Sequence, residues 1–142
     1  MKFLFDTDHL SILQARSGTE YSILAARMAG HPTADFAVSV ISLHEQTLGA
    51  QTFLGRARTS ADLVRGYLLL RQIFDSFVSI QMVPFDTQAA TALDGLVAQW
   101  IRISAMDLRI AAVALAQRLV LLTRNARDFN RVPGLVIQDW TV

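Results

Sequence analysis

The chain has 142 residues, 52% of them hydrophobic, and a formal net charge of +1. That length suits one domain with a real core, the apolar fraction excludes a disordered chain, and the near-neutral balance sets up no global field of the kind that marks a nucleic-acid binder. The absence of cysteine excludes disulfides and thiolate metal sites.

Lys2 is the only lysine; the other basic residues are arginines, whose planar forks suit phosphate and carboxylate, although a GC-rich genome produces the same bias. No segment reaches the roughly 18 apolar residues that span a membrane. The N-terminus MKFLFDTDHL lacks the apolar stretch of a signal peptide. These features lead us to expect a cytoplasmic chain.

In chain order, Phe3–Phe5 reads as a strand stopped by Asp6-Thr7-Asp8, with Asp6 placed to cap a helix over His9–Ala15. Ser17-Gly18 breaks that helix, and a second runs over Thr19–Ala29 to a stop at Gly30-His31-Pro32. The β-branched run Phe36–Ile41 reads as a strand. Ser42 with Glu45 three residues on has the capping-box pattern and predicts a helix over Leu43–Phe53. Ser60–Phe77 reads as a long helix with Leu63, Tyr67, Leu70 and Phe74 on one apolar stripe. A strand over Ser79–Val83 ends at Pro84, and a helix capped by Asp86 or Thr87 runs to about Arg102. Next come an alanine-rich helix headed by Asp107, small enough to lie close against a sheet, and the apolar run Leu119–Leu122. The polar corner Thr123-Arg124-Asn125 follows, then a loop carrying Asp128 and a short strand at Val136–Gln138. Trp100, Trp140 and the phenylalanines read as core. Strands alternating with helices from end to end predict an α/β fold, a parallel sheet covered on both faces, in a single domain over residues 1–142.

Four acids stand apart by position. Asp6 directly follows the first strand, Glu45 opens the helix after the second, and Asp128 follows the Leu119–Leu122 strand. In a parallel sheet all strand C-terminal ends share one edge, where ligands bind. Asp107 joins the other three only if its helix starts near that edge. Taken singly, each acid is explained as a helix cap or a dipole partner. Taken together, converging carboxylates repel and hold protons, an arrangement that a divalent cation relieves. All-oxygen ligands select Mg²⁺ or Mn²⁺ over Zn²⁺, and the three histidines show no helical pair spacing for zinc. Thr123 and Asn125 are placed to orient a carboxylate, or serve plain turn chemistry. No P-loop, G-x-G-x-x-G or G-x-S-x-G is present.

Four segments carry a family likeness: FLFDTDHLS, SVISLHEQTLGA, SAMDLRIAAVALAQ, and LVLLTRNARDFNRVPGL with the terminal DW. In this order and spacing the chain resembles PIN domains, specifically the VapC-like toxin ribonucleases of bacterial type II toxin–antitoxin pairs. The resemblance implies a PIN-like three-layer α/β/α sandwich around a parallel sheet of about five strands. It implies an Mg²⁺- or Mn²⁺-dependent endoribonuclease that cuts RNA phosphodiesters by metal-activated water. It assigns Asp6, Glu45, Asp107 and Asp128 as catalytic, with Asp6 and Asp107 on the metal and Glu45 and Asp128 reaching it through water. Thr123 and Asn125 match the polar residues of the family's TRN segment. Arg109 and Arg124, beside matched acids, are candidate contacts to RNA or to the acidic tail of a VapB-like antitoxin. A homodimer is implied as well. The segment QWIRIS before Asp107 lacks a frequent glycine, and Gln46 stands where the family has an apolar residue; both leave the shape of the groove open. A PIN-like scaffold whose acids are only caps, and a nuclease acting on DNA, are the competing readings.

Overall fold

The computed structural model describes residues 1–142. Five strands form one all-parallel sheet: β1 (Phe3–Phe5), β2 (Phe36–Ser39), β3 (Gln81–Val83), β4 (Val120–Leu122) and β5 (Ile137–Gln138). Their spatial order is β3-β2-β1-β4-β5, so β1 lies at the centre. Seven α-helices connect and cover them: α1 (Thr7–Ala15), α2 (Thr19–Met28), α3 (Val40–Gly55), α4 (Ser60–Val78), α5 (Thr87–Ala98), α6 (Ala105–Gln117) and the one-turn α7 (Ala126–Phe129). The α/β class and the five parallel strands match the expectation from sequence.

Side chains alternate across a strand, and the register turns that alternation into two separate cores. Leu4, Ala37 and Leu121 are register partners and share one core with Ile110–Ala114 of α6, Ala89 and Leu96 of α5, and Phe129. Phe5, Val38 and Leu122 are partners one residue further on. They face the opposite way, into a core with Leu10 of α1, Leu24 of α2, Ile73 and Phe77 of α4, and Trp140. The central strands are buried on both faces, which is why they read as continuous apolar runs. Ala111, Ala112 and Ala114 of α6 are fully buried. They allow the helix axis to approach the sheet closely, as their size suggests.

Several boundaries differ from the sequence reading. β2 stops at Ser39, whose hydroxyl caps α3 by accepting the Ser42 amide at 3.2 Å. The helix therefore begins at Val40 rather than Leu43, and Ser42 is not its cap. Val40 and Ile41 were read as strand from their branching; they instead pack onto the α5/α6 core from the first turn of α3, tertiary burial overriding propensity. α5 ends at Ala98, well short of Arg102, because Trp100 takes a left-handed conformation (φ 58°). The amides of Trp100 and Ile101 close the helix end onto Val97 and Leu96. Trp100 is 81% exposed and not core, whereas Trp140 is buried.

The apolar stripe expected on α4 is present but does not face the interior: Leu63, Tyr67, Leu70 and Phe74 are all exposed. α4 packs through the neighbouring stripe Gly66, Ile73 and Phe77. Gly66 sets that choice, since a Cβ there would stand 2.3 Å from the Leu54 side chain of α3. A glycine in mid-helix sacrifices propensity, and here it lets α3 and α4 touch. Gln46, the departure noted in α3, makes a reciprocal amide pair with Gln14 of α1 at 2.9 and 2.7 Å, and Gln14 also reaches Ser76 of α4 at 2.7 Å. A polar tie thus links three helices where an apolar contact was expected. No helix is long and apolar enough to cross a membrane.

Candidate active site

The site grows from the C-terminal edge of the sheet, where β1, β2 and β4 each release a polar segment. β1 ends at Phe5, and Asp6 takes an extended conformation to cap α1, its Oδ1 accepting the Thr7 amide at 2.8 Å. The cap leaves Oδ2 to accept the Thr123 hydroxyl at 2.7 Å from the end of the adjacent strand β4. Parallel pairing of Phe5 with Leu122 brings the two residues together. The Thr123 oxygen in turn accepts the Asn125 amide at 3.0 Å, which fixes the corner that follows.

Asn125 caps α7 and spans two acids. Its amide nitrogen donates to Asp128 Oδ2 at 3.1 Å and approaches Asp107 Oδ2 at 3.5 Å. Asp128 lies in the first turn of α7 rather than in an open loop. Asp107 lies in the first turn of α6, its amide donating to the Ser104 hydroxyl at 3.1 Å. The question left open for Asp107 is settled by chain direction. α6 turns through Arg118, in a left-handed conformation, straight into β4, so it runs antiparallel to the strand and starts at the edge where β4 ends. Glu45 lies in the second turn of α3, because that helix starts earlier than expected. Thr7, the first residue of α1, donates its hydroxyl to Glu45 Oε1 at 2.8 Å.

The structure therefore brings Asp6, Glu45, Asp107 and Asp128 to one edge, with Thr123 and Asn125 between them. The two arginines are less engaged. Arg124 turns its guanidinium to Glu20 of α2 at 3.0 Å, while Arg109 is partly buried, with the Met106 sulfur at 3.6 Å from its Nη1. Asp8, not singled out from the sequence, belongs to the same edge. Its Oδ2 accepts the Arg124 amide at 2.9 Å and lies 3.5 Å from the Thr123 hydroxyl. The i, i+2 repeat of Asp6 and Asp8 was its one signal, and a strand-to-helix turn has no periodicity from which to tell where the second acid points.

The carboxylates feel one another. Burial, the nearby Asp8 and, more weakly, Asp107 push Asp6 up to about 7, against the lowering hydrogen bonds from Thr123 and Thr7. Burial is also the main cause that raises Glu45 and Asp107, with Asp107 adding to the first and Asp128 and Asp8 to the second. No arginine or lysine offsets any of the three; the Thr7 hydroxyl and, more weakly, His44 favour the charge on Glu45. An uncompensated all-oxygen cluster of this kind fits a hard divalent cation. No three of the carboxylates close on one point as a finished ligand shell.

No family model matches the chain. It is 32% identical over 112 residues to the tRNA(fMet)-specific endonuclease VapC of Salmonella typhimurium, covering 76% of this chain and 77% of that one. Among solved structures, it superimposes on DNA-bound VapBC from Salmonella typhimurium with a TM-score of 0.77 at 24% identity, over 99% of this chain and 98% of the other. A toxin-antitoxin complex from Klebsiella pneumoniae gives a TM-score of 0.65 at 23% identity, over 95% of this chain and 96% of that chain. With the sheet order and the acidic edge already described, the sequence likeness to the Salmonella endonuclease over three quarters of both chains shows that this chain belongs to the VapC family of endonucleases.

Proposed function

We propose that the protein is the toxin of a toxin–antitoxin pair and an Mg²⁺- or Mn²⁺-dependent endoribonuclease, with the acidic edge as its catalytic site. The observation that carries the reading is that Asp6, Glu45 and Asp107 meet at the C-terminal edge with no arginine or lysine to offset them, with Asp6 raised to about 7 by burial and by its acidic neighbours. Asp6 and Asp107 would take the cation directly, and Glu45 and Asp128 would reach it through water. When bound, the cation supplies a water nucleophile at neutral pH and offsets charge developing on the scissile phosphate.

The remaining work falls to the chain's own groups. Thr123 donates to Asp6 and so aims the other Asp6 lone pairs outward. Asn125 bridges Asp107 and Asp128 and holds the acid from α6 against the acid from α7. Thr7 fixes Glu45 from the head of α1. Each of these donors leaves its carboxylate with unused acceptor capacity, as a ligand requires.

The test is digestion of purified tRNA and of a mixed RNA pool, with Mn²⁺ or with EDTA, followed by mapping of the ends. Defined cuts in metal alone support the reading; metal-independent cutting, or none, removes it. Transfer RNA is the first substrate to try, because the Salmonella typhimurium relative is specific for tRNA(fMet).

We assign the antitoxin a docking surface of its own. A groove between α1, α2 and α4 is lined by Leu10, Leu13, Tyr21, Leu69, Ile73 and Ile80 and by as many polar residues, Arg16 and Asp75 among them. A partner's amphipathic segment would bury its apolar face there. Leu69→Asp changes a side chain that is already 38% exposed, so the fold should stand. The cognate antitoxin should then fail to co-purify, while RNA cleavage by the free toxin continues. Unchanged co-purification would move the antitoxin elsewhere.

A further inference from the structure

Directly behind the acidic edge lies a histidine with no solvent contact. His9, in the first turn of α1, is 0% exposed, yet both its ring nitrogens are engaged. Nε2 accepts the backbone amide of Trp140 at 3.1 Å. A nitrogen that accepts from an amide carries no proton, so in the neutral ring the proton is on Nδ1. Nδ1 lies 2.9 Å from Asp8 Oδ1 and donates to it. The other oxygen of Asp8 accepts the Arg124 amide at 2.9 Å, in the turn that carries Thr123 and Asn125.

The far end of this chain of bonds is firmly anchored. The Trp140 ring packs on Phe3 at 4.7 Å and on His31 at 5.3 Å, and its indole N–H donates to Gln138 at 2.7 Å. Arg27 of α2 donates to the carbonyl of Asp139 at 3.2 Å. Asp139 accepts both the amide and the hydroxyl of Thr141, at 2.8 and 2.6 Å, which closes the segment after β5 on itself.

We propose that His9 is a positioning residue for the acidic site: by donating from Nδ1 it holds Asp8, and through Asp8 the Thr123–Arg124 turn, in the place from which Thr123 orients Asp6. This rests on the nuclease reading for its consequence in catalysis, but not for its geometry. His9 touches neither RNA nor cation. It acts on them through Asp8, as a hydrogen-bond partner outside a ligand set does.

Two amides separate the two halves of the ring. In His9→Asn, the side-chain nitrogen stands close to where Nδ1 was and retains the donor to Asp8. In His9→Gln, the amide reaches toward the Trp140 amide and the Asp8 donor is lost. Both variants would be measured per folded molecule, by single-turnover cleavage and by Mn²⁺ titration. His9→Gln should lose about 10–100-fold in kcat and in Mn²⁺ affinity at unchanged KM, with His9→Asn within about threefold of wild type. Equal behaviour of the two variants per folded molecule would overturn the proposal, since a merely structural role predicts only lost stability. If neither variant folds, the wild-type protein still decides: ¹⁵N shifts should report Nδ1 of His9 protonated, and an unprotonated Nδ1 would overturn the proposal. Wild-type protein that cuts no RNA would end the nuclease reading alone, leaving the Mn²⁺ affinities and the tautomer to judge His9.

Discussion

Asp6→Asn and Asp107→Asn should each abolish RNA cleavage while leaving the fold in place. Asparagine retains the capping oxygen that Asp6 offers to Thr7, and the cap of α6 is Ser104 rather than Asp107. Asp107→Asn removes one charge and little else, while in Asp6→Asn a nitrogen replaces Oδ2 and the Thr123 hydroxyl must turn from donor to acceptor. Loss of a group outside the ligand set typically lowers activity by 10–100-fold, so loss of a ligand should exceed about 100-fold. Single-turnover cleavage at saturating Mn²⁺, with circular dichroism to confirm folding, makes the comparison. Activity within tenfold of wild type in both variants would return these two acids to simple capping and remove the proposed catalytic site.

The second large effect is on stability, and its sign is opposite to that of ordinary salt-bridged carboxylates. Asp6 moves from 3.8 to about 7 on folding, so between those values the native state holds a proton that the unfolded chain has released. Stability therefore falls as pH rises through this window and levels off above it. The move corresponds to on the order of 4 kcal/mol. For a chain of this size that is roughly 10 °C in Tm. Raised Glu45 and Asp107 act in the same direction. Without metal, Tm should drop between pH 5 and pH 8, and Asp6→Asn should flatten most of the slope. Mn²⁺ should stabilise far more at pH 8 than at pH 5, because binding must displace the retained protons. Scanning calorimetry at both pH values, with metal and with EDTA, tests this. A metal-free Tm that is level or rises toward pH 8 would contradict it.

These effects share one origin: carboxylates from separate strands and helices drawn to a single edge. How much of that was legible differs residue by residue. Asp6 was legible because it follows an apolar run directly, and Asp128 because it follows another. Glu45 was placed near the edge for a partly incorrect reason. Ser42 looked like the cap, whereas Ser39 serves, and the branched pair Val40-Ile41 fits a strand as well as a buried first helical turn. Asp107 was more legible than it first looked, because a helix that turns tightly into a parallel strand must begin at that strand's C-terminal edge.

Asp8 and His9 were not legible as parts of a site. Their roles depend on where the Thr123–Arg124 turn and the segment after β5 come to rest, contacts separated by 116 and 131 residues in sequence. The α4 stripe shows the complementary failure. Periodicity shows that a helix has an apolar face without showing which neighbour covers it, and Gly66 selected the stripe beside it for packing against α3.

By itself the sequence determined the α/β class, the parallel sheet and the gathering of Asp6, Glu45 and Asp128 at one edge. Those follow from local rules: burial on both faces makes continuous apolar strands, and strand ends in a parallel sheet share an edge. Only the tertiary structure decided which hydrogen bonds orient the acids and how far burial and mutual repulsion raise them. Those properties depend on distances between residues far apart in the chain, and no local pattern carries a distance.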